Sequence, residues 1–110
     1  MKQKDIYYAI LDPVSGSEQS GHRPVVIISG NTMNTNLEIC IVCPLTTKLK
    51  LIPTRLLIKK DSVNKLKQDS EALVFQIRTV AKERFRKKIG EITNEQLQLI
   101  IEKLNNILLY

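Results

Sequence analysis

The chain has 110 residues, 43% of them hydrophobic, which is enough to fold and predicts a single domain over residues 1–110. Its 17 Lys and Arg against 11 Asp and Glu give a net charge of +6, which favours nucleic acid, an anionic membrane surface or an acidic protein as partner. No apolar run approaches the ~20 residues that cross a bilayer. The N-terminus also lacks a signal-peptide pattern, so we expect a cytoplasmic protein without a membrane partner.

The first two thirds of the chain read as a series of β-strands separated by turn-forming residues. Strands are predicted at 5–11, 23–29, 37–45, 54–60 and 71–77, where β-branched and aromatic residues are frequent. Residues 30–36, "GNTMNTN", are predicted as a turn from their composition. Residues 79–88 are predicted as a short helix or helical turn, and 88–93 as a last short strand.

The clearest helix is at the end of the chain. Thr93 is a good N-cap, and Gln96 three residues later completes a capping box. The apolar residues after it recur at helical spacing: Leu97, Ile100, Ile101, Leu104 and Leu108. Strands followed by a terminal helix predict a small, bent antiparallel sheet or barrel closed by that helix.

The two cysteines, in "ICIVC", have the C-x-x-C spacing of redox or zinc motifs. The surrounding Ile and Val residues indicate a strand, on which residues three apart point to opposite faces. We therefore interpret Cys40 and Cys43 as buried apolar thiols rather than as a redox or metal site.

A polar stretch, "GSEQSGHRP", leads into the second strand. Arg23 has the planar fork that pairs two phosphate oxygens, although an arginine at a strand start can also be an ordinary surface residue. His22 is a residue type that enzymes often use as a general base. Adjacent strand residues face opposite sides, so His22 should point away from Arg23 and is the weaker catalytic candidate.

Several stretches together resemble the MazF/PemK (Kid) family of toxin endoribonucleases from type II toxin–antitoxin systems. They are "DIYYAILDPVSGSEQSGHRPVVIIS", "CPLTTK", "PT" at 53–54, "FQIRTVAKERFRKKIG" and the terminal helix, in family order. The resemblance implies an SH3-like curved antiparallel sheet of the plasmid-maintenance-toxin type, mainly β with a C-terminal helix. It implies a homodimer, an acidic cognate antitoxin, and metal-independent cleavage of single-stranded RNA to 2′,3′-cyclic phosphate and 5′-hydroxyl ends.

The resemblance also assigns roles to individual residues. It implies that Arg23, in "G-x-R-P", and Thr46, first of the "TT" pair, are catalytic. Glu18, also a catalytic candidate, would act either as general base or by orienting Arg23. The substrate-binding candidates, in the loops 12–22 and 46–53 and in "QIRT", are Ser17, Gln19, His22, Thr47, Lys48, Gln76 and Arg78. No metal or other cofactor is expected.

Two alternatives remain at this point. A gyrase-inhibiting toxin of the same fold would not need the Arg23 and Thr46 pair. A non-catalytic nucleic-acid-binding module would bind RNA and leave it intact.

Overall fold

The computed structural model describes residues 1–11 and 21–110. These residues form the following elements: β1 (Asp5–Ile10), β2 (His22–Ile27), α1 (Asn31–Asn36), β3 (Ile39–Thr46), β4 (Arg55–Ile58), β5 (Ser70–Leu73), β6 (Arg78–Ala81), β7 (Phe85–Glu91) and α2 (Asn94–Leu109). Single 3-10 turns at Val74–Gln76 and Lys82–Arg84 precede β6 and β7. The strands predicted at 5–11, 23–29, 37–45, 54–60 and 71–77 are present, and the last two are shorter than predicted.

The prediction of a turn at 30–36 was wrong, because α1 forms there. The Gly30 carbonyl accepts from the Asn34 amide at 3.0 Å, which closes a helical turn. The buried Asn34 side chain donates to the Ser29 carbonyl at 2.8 Å and receives the Ser29 hydroxyl. Asparagine is common in turns, but here its side chain anchors the helix to the end of β2.

The prediction of a helix or helical turn over 79–88 was also wrong, apart from the 3-10 turn within it. Val80 of β6 pairs with Cys40 of β3, and Phe85 of β7 pairs with Ala9 of β1. Both Val80 and Phe85 are buried. The Lys, Glu and Arg residues between them favour helix locally, but strand pairing with two different neighbours outweighs that preference.

All pairings in the sheet are antiparallel, in the order β4-β5-β3-β2-β1-β7. One edge of β3 pairs with β6 along its first half and with β5 at its end. Among the described residues β4 and β7 end the path without pairing to each other, so the sheet is curved and unclosed. The prediction of a bent antiparallel sheet with a C-terminal helix is confirmed.

Two apolar clusters lie on the two faces of the sheet. The helix-side core consists of Ile6, Val26, Cys43, Leu45, Ile58, Leu66, Ala72, Val74, Ile92, Leu97 and Ile100. The far-side core consists of Ala9, Val25, Ile27, Cys40, Val42, Val80 and Phe85. The two cysteines are free and buried in different cores, as predicted, and burial raises the pKa of the Cys43 thiol to about 12.

Helix α2 begins as its sequence predicts. The Thr93 hydroxyl accepts from the Gln96 amide at 3.0 Å, and the Gln96 side chain accepts from the Thr93 amide at 2.9 Å. Leu97 and Ile100 are buried against the sheet, whereas Leu108 is 71% exposed. In the described part of the chain, no helix is long and apolar enough to span a membrane.

Candidate active site

Arg23 and Thr46 lie at neighbouring strand ends. The register of β2 and β3 pairs Val25 with Pro44 and Val26 with Cys43. The paired residues end at Val25 and Pro44, but both strands continue to Arg23 and Thr46, and the same register extended by two residues sets these two opposite each other. Both are half-buried. Two residues distant in sequence thus become neighbours at one rim of the sheet.

Side-chain alternation brings Arg78 to the same face as this pair. Val25 and Val42 belong to the far-side core, and residues two or four positions away on the same strand share their face. Arg23 and Thr46 stand at those positions. Arg78 pairs with Val42 across β3 and β6, and directly paired residues project to one side of a sheet. Two arginines and a threonine therefore share the face of the far-side core.

The backbone after Thr46 holds its hydroxyl. Thr46 Oγ1 accepts from the Lys48 amide at 3.2 Å, so its own hydrogen remains available to donate. Thr47 and Lys48 are exposed beside it. This arrangement presents a hydroxyl donor next to a guanidinium, which suits an oxyanion of a phosphate group.

Glu71 is a residue of this region that sequence reasoning missed. It pairs with Thr46 across β3 and β5, and it is 1% exposed. Its carboxylate accepts from the amides of Lys50 and Leu51, both at 2.8 Å, and from Arg55 Nη1 at 3.1 Å. Desolvation raises the pKa of Glu71, but these hydrogen bonds and the Arg55 charge outweigh it, so the pKa is lowered. The available signal was an acid within the apolar strand "EALV", with an arginine on the preceding strand.

The remaining predicted site residues are less closely grouped. His22 is exposed, pairs with Ile10, and lies on the opposite face of β2 from Arg23. Gln76 is exposed at the end of a 3-10 turn, two residues before Arg78. The predicted residues Ser17, Glu18 and Gln19 lie outside the described residues.

A basic cavity of about 610 Å³ lies on the helix-side face of the sheet, opposite to the face of Arg23 and Thr46. Pro24 and Thr47, their chain neighbours, line it, together with the lysines Lys65, Lys67, Lys87 and Lys88. Lys88 Nζ lies 3.2 Å from Asp5 Oδ1, and hydrogen bonding to Asp5 raises the pKa of Lys88. Within residues 1–11 and 21–110, no three His, Cys, Asp or Glu side chains group as they would around a metal ion.

Comparison with known families identifies the domain. A family model described as "PemK-like, MazF-like toxin of type II toxin-antitoxin system" matches residues 2–108. The chain belongs to this family. It is a homologue of the MazF endoribonuclease toxins, as its resemblance predicted.

Individual MazF proteins support the same assignment. Endoribonuclease MazF from Staphylococcus saprophyticus is 41% identical over 100 residues, which cover 89% of this chain and 82% of the relative. The solved structure of the Mycobacterium tuberculosis toxin MazF-mt6 covers 96% of each chain with a TM-score of 0.78 and 25% identity. A MazE-MazF crystal structure from Deinococcus radiodurans, 20% identical, covers 98% of this chain and 95% of that one with a TM-score of 0.79. The curved, unclosed sheet with its C-terminal helix is thus the MazF fold.

Proposed function

We propose that this protein is a sequence-specific endoribonuclease toxin that cleaves single-stranded RNA without a metal ion, leaving 2′,3′-cyclic phosphate and 5′-hydroxyl ends. The observation that carries the proposal is the register of β2 and β3, which directs Arg23 and Thr46 to the face of the sheet that also bears Arg78. A guanidinium and a hydroxyl on one face can stabilise the negative charge that develops on the non-bridging phosphate oxygens during RNA transesterification.

The chemistry needs few groups. The 2′-oxygen of the RNA attacks phosphorus and loses its proton, while the bond to the 5′-oxygen breaks and that oxygen gains a proton. Arg23 stabilises the charge on the non-bridging oxygens, because its fork binds two of them at once. The Thr46 hydroxyl donates a hydrogen bond to one of these non-bridging oxygens. Glu18 either accepts the 2′-proton or orients Arg23.

We assign substrate binding to the surface around Arg23 and Thr46. The proposed contacts are Ser17, Gln19, His22, Thr47, Lys48, Gln76 and Arg78. The exposed Thr47 and Lys48 beside Thr46 and the net charge of +6 support this role, because phosphate contacts provide most of the affinity for RNA. With aromatic residues at only 5%, base stacking contributes little, and loop hydrogen bonds to unpaired bases would select the cleavage sequence.

An acidic antitoxin is the proposed protein partner. The net charge of +6 favours an acidic chain, and a mycobacterial endoribonuclease of this fold has been solved in complex with its cognate antitoxin. A homodimer is the proposed working unit, and the cytoplasm, where mRNA is found, is the proposed location. Exposed apolar side chains such as Phe75, 49% exposed, and Leu51, 71% exposed, are available for such contacts.

Cleavage of a long RNA in the presence of EDTA tests the proposal. The wild type should give discrete cuts, and Arg23→Ala and Thr46→Ala should each lower the rate by about 100-fold or more, the typical effect of removing one oxyanion donor. Lys59→Ala, an exposed lysine outside the lysine-lined cavity, is the matched control and should cut like the wild type.

The same experiment distinguishes the alternatives. Tight RNA binding without cuts would indicate a non-catalytic binding module. Inhibition of DNA gyrase without RNA cleavage would indicate a gyrase-directed toxin.

A further inference from the structure

We propose that Glu71 is a positioning residue for Thr46, acting through Arg55 and the backbone of Lys48. This inference rests on the proposed function, in which the Thr46 hydroxyl contacts the scissile phosphate. It concerns a buried acid that itself contacts no substrate.

Hydrogen bonds to the two peptide groups that flank the Lys48 Cα atom connect the two side chains. Glu71 Oε1 accepts from Arg55 Nη1 at 3.1 Å, and the same nitrogen donates to the Lys48 carbonyl at 2.9 Å. The Lys48 amide in turn donates to Thr46 Oγ1 at 3.2 Å. The carboxylate thereby fixes the peptide groups that select the orientation of the Thr46 hydroxyl.

The same carboxylate holds the next part of the connection between β3 and β4. Its two oxygens accept from the amides of Lys50 and Leu51, one each, at 2.8 Å. Leu51 adopts a left-handed conformation with φ of 52°, which is unfavourable for a leucine without a compensating contact. Glu71 supplies that contact, so one buried side chain shapes the backbone from Lys48 to Leu51.

The orientation of Thr46 needs such support. A threonine hydroxyl has more than one accessible χ1 position, and only one of them meets the Lys48 amide. Thr46 is the last residue of β3, so ladder hydrogen bonds do not restrain the backbone of Thr47 and Lys48. Without the hydrogen bond from Arg55 to the Lys48 carbonyl, the φ and ψ angles of Lys48 are less restrained, and the Lys48 amide that bonds the Thr46 hydroxyl loses its fixed position.

A stability role alone is a weaker account of the buried pair. Glu71 is 1% and the Arg55 side chain 10% exposed, so both charges lose most of their hydration. A buried ion pair often adds little net stability compared with apolar residues of similar size. The pair instead fixes the conformation of one loop, because its guanidinium and its two carboxylate oxygens form hydrogen bonds with three backbone groups of that loop.

Steady-state cleavage of the shortest RNA that the wild type cuts tests the inference. Glu71→Gln should lower kcat by about tenfold, because a slightly misplaced catalytic group slows chemistry. KM should stay within about twofold, since the hydroxyl acts mainly in the transition state. Arg55→Lys keeps the positive charge but lacks the planar guanidinium fork, and it should show the same fall in kcat at nearly constant KM. If circular dichroism shows that Glu71→Gln is unfolded, Arg55→Lys provides the test instead.

Asp61→Asn is the matched control. Asp61 Oδ1 also accepts from two backbone amides, those of Val63 and Asn64, but in the connection between β4 and β5. This variant should lower the melting temperature without changing kcat. Unchanged kcat in a folded Glu71→Gln, or an equal fall in Asp61→Asn, would overturn the inference. Absence of cleavage by the wild type would instead refute the proposed function.

Discussion

At the residue scale, the resemblance named Arg23 and Thr46, but the sequence alone could not bring them together. Their proximity depends on the register between β2 and β3, which is set by the buried pairs from Val25 to Ile27. Glu71 was missed for a physical reason. Two of its partners are backbone amides, and no residue type in the sequence reports where a loop amide will point.

The lowered pKa of Glu71 predicts a specific pH dependence of stability. A carboxyl whose pKa is lower in the folded than in the unfolded state stabilises the fold above the unfolded value, near 4.5, and loses that contribution as pH falls through the folded value. The melting temperature of Glu71→Gln should therefore lie below that of the wild type at neutral pH, and the gap should narrow in acid.

Thermal melts of both proteins from neutral pH down to acid measure this gap. Glu102→Gln, at an exposed position of α2, is the control, and its melting curve should match that of the wild type across the range. A constant gap between Glu71→Gln and the wild type would contradict the prediction.

At the element scale, the strands with β-branched residues and the capped terminal helix were predictable from local sequence. Helix α2 has both halves of its capping box and an apolar face that meets the sheet. The prediction for segment 79–88 failed because its strands are specified by partners on two different strands, Cys40 on β3 and Ala9 on β1. Local propensity contains no information on such distant partners.

A close approach between β7 and the connection from β4 to β5 gives a prediction at this scale. A Cβ atom on Gly90 would lie 2.3 Å from the Asn64 carbonyl oxygen, and Asn64 is itself buried. Gly90→Ala should therefore lower the free energy of unfolding by about 1–3 kcal/mol, the usual effect of overpacking.

Gly30→Ala is the matched control for this measurement. No heavy atom lies within 4 Å of a Cβ atom built on Gly30, and its backbone is extended. Its free energy of unfolding in urea should stay within about 0.5 kcal/mol of the wild type. Equal effects of the two substitutions would show that the packing against Asn64 is not tight.

At the scale of the whole molecule, composition indicated the class of partner and the resemblance indicated the fold. The net charge of +6 favoured an anionic partner, and the structure gathers four lysines around one cavity on the helix-side face of the sheet. This cavity was not predictable from the sequence, because most of the residues that line it come from β1, β2, β7 and the connection between β4 and β5, which are distant along the chain.

In the proposed mechanism the RNA supplies its own nucleophile, the 2′-hydroxyl, at a site formed by Arg23 and Thr46. An RNA oligonucleotide with a single 2′-deoxy substitution at the nucleotide before the cut lacks that nucleophile. It should bind as the all-ribose oligonucleotide does but stay intact, while the all-ribose one yields a 2′,3′-cyclic phosphate and a 5′-hydroxyl. Cleavage of both at similar rates would contradict this mechanism.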